Sequence, residues 1–381
     1  MKMKNNDTEL HLFIIWSNGK KYESQIMEDI KKRFDIKLVQ QISWTEELFD
    51  QNLRRFYGKN LPKNSNKQKE CGVGPFKVII VEDKQPIYAP RRTNQGTKIV
   101  NVNMFDSKEM YRRMLNGNIL HATNSIEEFR HDLALLLHIS QEDLIKSNFS
   151  VSDRVSEECF DIAGSNGWNS FEELLYIMNN SMNYVILRNF ENLPEKIKFG
   201  KHSDLDILCE NRDVAKLILN SVSTTKNPKR VQEKVYVGDD YINVDVRYLG
   251  DNYYDEKWEK NILETREYSN KGFYIQNTVN YIYTLIYHAI IQKRSISEDY
   301  IDRISDLCEE LDIEKIDLKN EYKSLDCLKK YMEKHDYIFV EPIDPSVTYN
   351  YFKVGKKSTI KRKKQHFLRV FKGIVKGEKR G

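Results

Sequence analysis

The chain opens with short apolar runs separated by polar, charged stretches. Residues 10–17 (LHLFIIWS) and 36–43 (IKLVQQIS) are runs of strand length, and the segment at about 23–34 between them has helical spacing. A second helix is expected in TEELFDQNLRRFYG (45–58), then the polar loop GKNLPKNSNKQKECGVG (58–74) and the strand FKVIIVED (76–83). Residues 106–115 read as helical, and apolar character returns at Ile119 and Leu120. Ser125 and Glu128 stand in a capping-box pattern at the start of the helix IEEFRHDLALLLH, and Ser170 and Glu173 repeat it before FEELLYIMNN. Strands follow in YVILRN (184–189), LDILCE (205–210), KVYVGD (234–239) and YINVDVRYL (241–249), with a helix at 213–221. From 277 to roughly 335 the pattern is helical, most clearly in NTVNYIYTLIYHAIIQK.

This order predicts an α+β protein. The expected parts are a first domain at 1–140 and a linker at 141–168, where the pattern weakens around GSNGWNS. A central α/β domain with a mixed sheet would span 169–275, a helical subdomain 276–340 and a tail 341–381. A chain of 381 residues fits two domains with additions. No run of about 18 apolar residues is present, so no spanning helix is expected. His11 and the polar NNDTEL break any secretory pattern at the start. The five cysteines are scattered without a Cys-x-x-Cys pair, which argues against a disulfide framework or a zinc site and fits a reducing cytoplasm.

Charge changes the picture only locally. Residues 355–381 hold eleven Lys/Arg and one acidic residue, a local charge of +10 that leaves the rest of the chain at −6 of the +4 total. Nucleic acid is therefore an unfavoured partner for the body of the protein. The tail interleaves basic residues with Ile360, Phe367, Leu368, Val370, Phe371, Ile374 and Val375. It fits attachment to an anionic membrane surface, the inner face if the protein is cytoplasmic, against a solvated tail or a nucleic-acid contact. Gly373 and Gly377 weaken a helix there.

Chemistry concentrates in two places. In HSDLDIL, Asp204 and Asp206 are two apart on a predicted strand and leave the same face, while Asp245 sits in the apolar strand YINVDVRYL. A lone Asp-x-Asp is often only a surface strand motif. Three carboxylates converging from adjacent strands, however, suit two Mg²⁺ ions about 3.5–4 Å apart, which hold a nucleoside triphosphate (NTP) and activate an attacking hydroxyl. Arg188, Lys201, His202 and Ser203 are candidate phosphate contacts, with solvated loop residues as the alternative.

The segments LRN, HSDLDIL and NVDVRYL, within about 170–300, resemble the nucleotidyltransferase superfamily of polymerase-beta-like and minimal nucleotidyltransferases. The resemblance implies that Asp204 and Asp206 bind both metals and that Asp245 assists the acceptor hydroxyl. Arg188-Asn189 stands nearest the place where the family has Gly-Ser.

The second constellation is Asn118, His121, Thr123 and Asp132, just before and within a capped helix. A histidine near a helix N-terminus can meet phosphate held by free backbone N–H groups. A carboxylate on Nδ1 would fix the tautomer and leave Nε2 as nucleophile. Asparagine three residues before the histidine, threonine two after and a carboxylate eleven after resemble nucleoside diphosphate kinase. That resemblance covers about 10–138 and implies a ferredoxin-like βαββαβ core. Trp16 stands where the family has a lysine, with Lys20 and Lys21 close by, and Lys108 stands where an arginine would contact phosphate. His121 is read as a phosphoryl carrier, as part of a nucleotide-binding relic, or as structural. His131 and His138 are expected to be ordinary surface or core-edge residues.

The combined expectation is a Mg²⁺-dependent transferase that moves a nucleotidyl or phosphoryl group from an NTP to a small-molecule or glycan hydroxyl. A similarity to nucleotidyltransferase-domain proteins of surface-polysaccharide loci suggests a glycan precursor. The rivals are a histidine-phosphorylating kinase-like enzyme, a toxin or defence enzyme modifying protein or RNA, and a catalytically inactive interaction module.

Overall fold

A computed structural model describes residues 8–58, 61, 66–93, 96–147, 156–312 and 315–354. The basic tail at 355–381 lies outside them. The protein is mixed α+β and divides into two compact units. The first comprises the described residues up to Asn183 with Asp213–Val222 and Val235–Ile242; the second comprises the remainder. No helix among the described residues is long and apolar enough to cross a membrane.

The first unit contains β1 (Glu9–Ile15), α1 (Glu23–Arg33), β2 (Asp35–Ser43), α2 (Phe49–Tyr57), α3 (Lys67–Cys71) and β3 (Phe76–Asp83). The chain continues through the hairpin β4 (Tyr88–Thr93) and β5 (Gly96–Asn101), α4 (Val102–Leu115), β6 (Leu120–Ala122), α5 (Ile126–Leu137), α6 (Gln141–Lys146), β7 (Ser156–Cys159) and α7 (Phe171–Ser181). The main sheet runs β6-β1-β3-β2-β7. β3 is antiparallel to both β1 and β2, β6 is antiparallel to β1, and β7 joins β2 in parallel. Apolar clusters cover both faces: Leu12 and Ile14 pack with Phe129, Leu133 and Leu136 of α5, and Phe13 and Ile15 with Ile26 and Ile30 of α1 and Met104 of α4. That explains why β1 is a continuous apolar run instead of an alternation.

Both expected capping boxes form. Ser125 Oγ accepts from Glu128 N at 3.2 Å, and Ser170 Oγ from Glu173 N at 3.1 Å. Their glutamates reach back to Asn124 N and Asn169 N, each at 2.7 Å, so the helix starts are satisfied from both directions. Two places differ from expectation. The stretch 141–168, expected to be a linker, contributes α6 and β7, and Ile162 and Ala163 are buried. β7 is a short polar edge strand whose pairing has no local apolar signature. The hairpin β4–β5 was not predicted, because Pro90, Arg91 and Arg92 hide any alternation.

Along the rest of the chain lie β8 (Tyr184–Ile186), a 3₁₀ turn (Gly200–His202), β9 (Leu205–Cys209), α8 (Arg212–Leu219), β10 (Val222–Ser223), β11 (Gln232–Val237) and β12 (Asp240–Tyr248). Then come α9 (Glu256–Glu264), β13 (Glu267–Tyr268), β14 (Tyr274–Ile275), α10 (Thr278–Tyr287), α11 (Glu298–Glu310), α12 (Glu321–Lys334) and α13 (Tyr351–Val354). Residues 243–248 of β12 belong to the second unit. There β12 is parallel to β9, β9 antiparallel to β8, β8 parallel to β14 and β14 antiparallel to β13, so the sheet is mixed. α10 starts on the Asn277 cap, whose side chain accepts from Asn280 N at 2.8 Å, and runs into a π-helical turn at His288–Gln292. Trp258, Tyr287 and Tyr331 anchor the apolar cluster that holds these helices to the sheet.

Candidate functional site

Asp206 and Asp245 face each other across the second unit's sheet. β9 and β12 pair in parallel with Asp206 opposite Asp245, and Asp204 lies two residues before Asp206 on the same side. The strands bring together the three aspartates that the sequence singled out. Asp206 is 1% exposed, Asp245 partly buried and Asp204 exposed.

Each of the two inner carboxylates has an arginine. Arg188 Nη2 donates to Asp206 Oδ1 at 2.7 Å, and Arg247 Nη2 to Asp245 Oδ2 at 2.8 Å. Both guanidinium groups stand over the Tyr253 ring, at 5.7 and 4.3 Å from its centroid, and Arg188 Nη1 also donates to Tyr253 Oη at 2.8 Å. Asp206 Oδ2 is buried with no hydrogen-bond partner among the described residues. Desolvation is the largest influence on all three carboxyls and holds them above the usual carboxylate range, with neighbouring carboxylates adding to it and Arg188 and Arg247 opposing it. Asp204 is exposed, so water damps its share.

The expected phosphate contacts fare differently. Arg188 is beside the aspartates, but as the counter-ion of Asp206. Lys201 and His202 are exposed on the 3₁₀ turn. Ser203 is a correction, since its hydroxyl is occupied: Oγ donates to Gly200 O at 2.5 Å and accepts from Asn243 N at 2.8 Å. The chain needs that hydroxyl to close the turn that delivers Asp204. Sequence reasoning missed Arg247, although its place two residues after Asp245 on one strand face was visible. Lys293, whose charge acts on Asp204 and Asp206 just after the π-helical turn, carried no such signal.

In the first unit, β6 presents His121 opposite Ile14 of β1, and α5 presents Asp132. His121 Nε2 lies 2.7 Å from Asp132 Oδ2, while His131 Nδ1 lies 2.9 Å from the other carboxylate oxygen. The tautomer expectation is thus reversed: the carboxylate engages Nε2, so Nδ1 is the nitrogen left without a protein partner among the described residues. Burial raises the Asp132 carboxyl, but the two histidines outweigh it and hold it below the usual range. His131, expected to be ordinary, is therefore part of the cluster.

His121 opens onto a cavity of about 1250 Å³, lined among others by Tyr57, Arg92, Phe105, Arg112 and Asn118. Asn118 lies in that lining. Thr123 does not: its buried hydroxyl accepts from Leu12 N at 3.1 Å and lies 3.1 Å from His11 Nδ1, facing β1. Lys108 lines the cavity, but its ammonium donates to Ala122 O at 3.3 Å and to Asn124 Oδ1, bracing the turn before α5. Burial lowers its pKa to about 8. Trp16, in place of the family's lysine, is buried and donates to Tyr57 Oη at 2.9 Å.

Among the described residues, the group of three or more His, Cys, Asp or Glu residues with donor atoms all within 4.8 Å of one another is His121, Glu128 and Asp132. The three aspartates of the second unit do not close to that degree. No protein-family model matches the sequence, and no curated protein matches it significantly.

Proposed function

We propose that this chain is a Mg²⁺-dependent transferase that moves a nucleotidyl or phosphoryl group from an NTP to a hydroxyl acceptor. The observation that carries this reading is the register of Asp206 against Asp245, with Asp204 alongside and Asp206 Oδ2 buried without a partner. An orphaned carboxylate oxygen in a cluster of raised carboxyls fits a divalent cation, and oxygen-only donors fit Mg²⁺. Asp204, Asp206 and Asp245 would hold it. When bound, Mg²⁺ supplies charge neutralisation on the phosphates and a lowered pKa for the acceptor hydroxyl. Arg188 and Arg247 provide the counter-charge on the aspartates. Tyr253 keeps both guanidinium planes in place. The polymerase-beta-like resemblance points the same way, and its surface-polysaccharide members make a glycan precursor the favoured acceptor. The test is a panel of NTPs with Mg²⁺, scored by mass spectrometry. Pyrophosphate release marks nucleotidyl transfer and NDP release marks phosphoryl transfer; no turnover with any NTP overturns the reading.

A second reading has its own observation. The His121–Asp132 pair opens onto a cavity lined by basic and aromatic side chains, on a sheet whose β6-β1-β3-β2 order suits a ferredoxin-like, nucleoside diphosphate kinase-like domain. That arrangement supports phosphorylation of His121 Nδ1. Incubation with γ-labelled ATP should then leave an acid-labile label that His121→Ala loses, and absence of label removes this reading.

A further inference from the structure

We propose that the first unit holds a divalent transition-metal cation, of the Zn²⁺, Mn²⁺ or Fe²⁺ class, through His121, Glu128 and Asp132. The site is separate from the three aspartates of the second unit and stands whether or not they bind Mg²⁺. Glu128 and Asp132 are four residues apart on α5, so their side chains share one helix face. His121 reaches that face from β6, and one donor atom of each residue lies within 4.8 Å of the other two. Around a metal with bonds of about 2.0–2.2 Å, tetrahedral ligand atoms stand roughly 3–4 Å apart. Small side-chain adjustments close the remaining gap. His121 Nε2 and Asp132 Oδ2, now hydrogen-bonded at 2.7 Å, would lose the proton between them and move apart by roughly 0.5–1 Å to admit the cation.

The supporting contacts are those a metal site uses. The second oxygen of Asp132 is fixed by His131 Nδ1 at 2.9 Å, which orients the carboxylate. Glu128 Oε2 accepts from Asn124 N at 2.7 Å and Asn124 Nδ2 at 2.8 Å, so the capping box that starts α5 also anchors this ligand. Glu128 Oε1 has no protein hydrogen bond among the described residues and is left for the cation. The Lys108 ammonium, one of the positive charges nearby, is held on Ala122 O and Asn124 Oδ1. One imidazole and two carboxylates favour a transition metal over Mg²⁺, which prefers oxygen alone. Three protein ligands leave coordination positions open, and the cavity carries Arg92 and Arg112, the latter also donating to Leu120 O at 3.1 Å and Glu109 Oε1 at 3.2 Å. The open positions would therefore take an anionic oxygen ligand, and a polyphosphate is the class that fits these cations. A metal on Nε2 also replaces the proton shared with Asp132, so this proposal competes with His121 as a phosphoryl carrier.

The test uses the full-length chain carrying Asp204→Asn and Asp206→Asn, which removes two of the second unit's three carboxylates while keeping an acceptor for Arg188, and Co²⁺ or Zn²⁺ alone as the probe. One equivalent of Co²⁺ should bind and give visible d–d absorption of a site with a nitrogen ligand. Glu128→Gln, which preserves an acceptor for Asn124, should weaken binding by about 10- to 100-fold with the circular dichroism unchanged. His121→Ala should abolish the absorption. Tripolyphosphate should shift the bands of the loaded protein. Binding with the same stoichiometry, affinity and spectrum in Glu128→Gln overturns the proposal, as does failure of the parent chain to bind either metal.

Discussion

Two buried aspartates, one in each unit, meet opposite surroundings. Asp132 is 3% exposed and has both carboxylate oxygens occupied, one by His121 and one by His131. Its carboxyl is held below the usual range in spite of burial. Asp206 is 1% exposed and has one oxygen on Arg188 and the other without a hydrogen-bond partner among the described residues, with Asp204 and Asp245 alongside. Its carboxyl is pushed above the usual range in spite of a guanidinium at 2.7 Å. The difference shows that one ion pair does not satisfy a buried carboxylate. What decides is whether every lone pair has a partner and how many like charges share the site. Asp132 is paired at both oxygens, while Asp206 keeps one oxygen that neither Arg188 nor Arg247 engages.

The largest effect separates the two regions by activity. Asp204→Ala combined with Asp206→Ala should reduce Mg²⁺-dependent NTP turnover to background, measured as pyrophosphate or NDP release, while His121→Ala leaves it in place. If turnover survives the double substitution and disappears in His121→Ala, the comparison is inverted and the first unit is the catalytic one.

The next effect concerns stability. Arg188→Ala removes the hydrogen-bond partner that Asp206 has among the described residues and leaves a buried carboxylate uncompensated, which costs about 3–5 kcal/mol. Urea unfolding should show that loss, and Mg²⁺ should restore part of it by supplying the missing charge. His131→Ala removes only one of two partners from Asp132 and should cost less, about 1–3 kcal/mol. Equal losses in the two variants would mean that Asp206 is satisfied by something other than Arg188.

How much of this was legible depended on how local each interaction is. Both capping boxes could be read because Ser-x-x-Glu contains both partners. The shared face of Asp204 and Asp206 could be read from the period of two, but not that Asp245 would stand in register with Asp206, since parallel pairing leaves no local trace. The spacing of His121 and Asp132 was visible; the nitrogen that faces the carboxylate was not, because it depends on how α5 packs on β6. Thr123 was misread because β6 ends at Ala122, so the alternation that would have aligned it with His121 stops one residue short. Ser203 reads as a phosphate contact because a polar loop residue beside a site looks available, and Lys108 because it stands where the resembled family has an arginine. In the folded chain each has backbone groups to satisfy.

The smallest effect is the most direct test of the contrast, because it reads each carboxyl by itself. In ¹³C NMR of labelled aspartates without metal, Asp132 should titrate below the ordinary value of 3.8 and Asp206 above it. The two signs carry opposite consequences for stability. Asp132 has a folded pKa below its unfolded one, so its contribution is present above the unfolded pKa and is lost as pH falls through the folded value. Asp206 has a folded pKa above its unfolded one, so its contribution is present at acid pH and is lost as pH rises through the folded value. Mg²⁺ should pull the Asp206 titration down and leave Asp132 where it is, because only Asp206 has a carboxylate oxygen waiting for a cation of that kind. A titration of Asp206 that Mg²⁺ does not move would show that Arg188 and Arg247 already supply all the charge this site accepts.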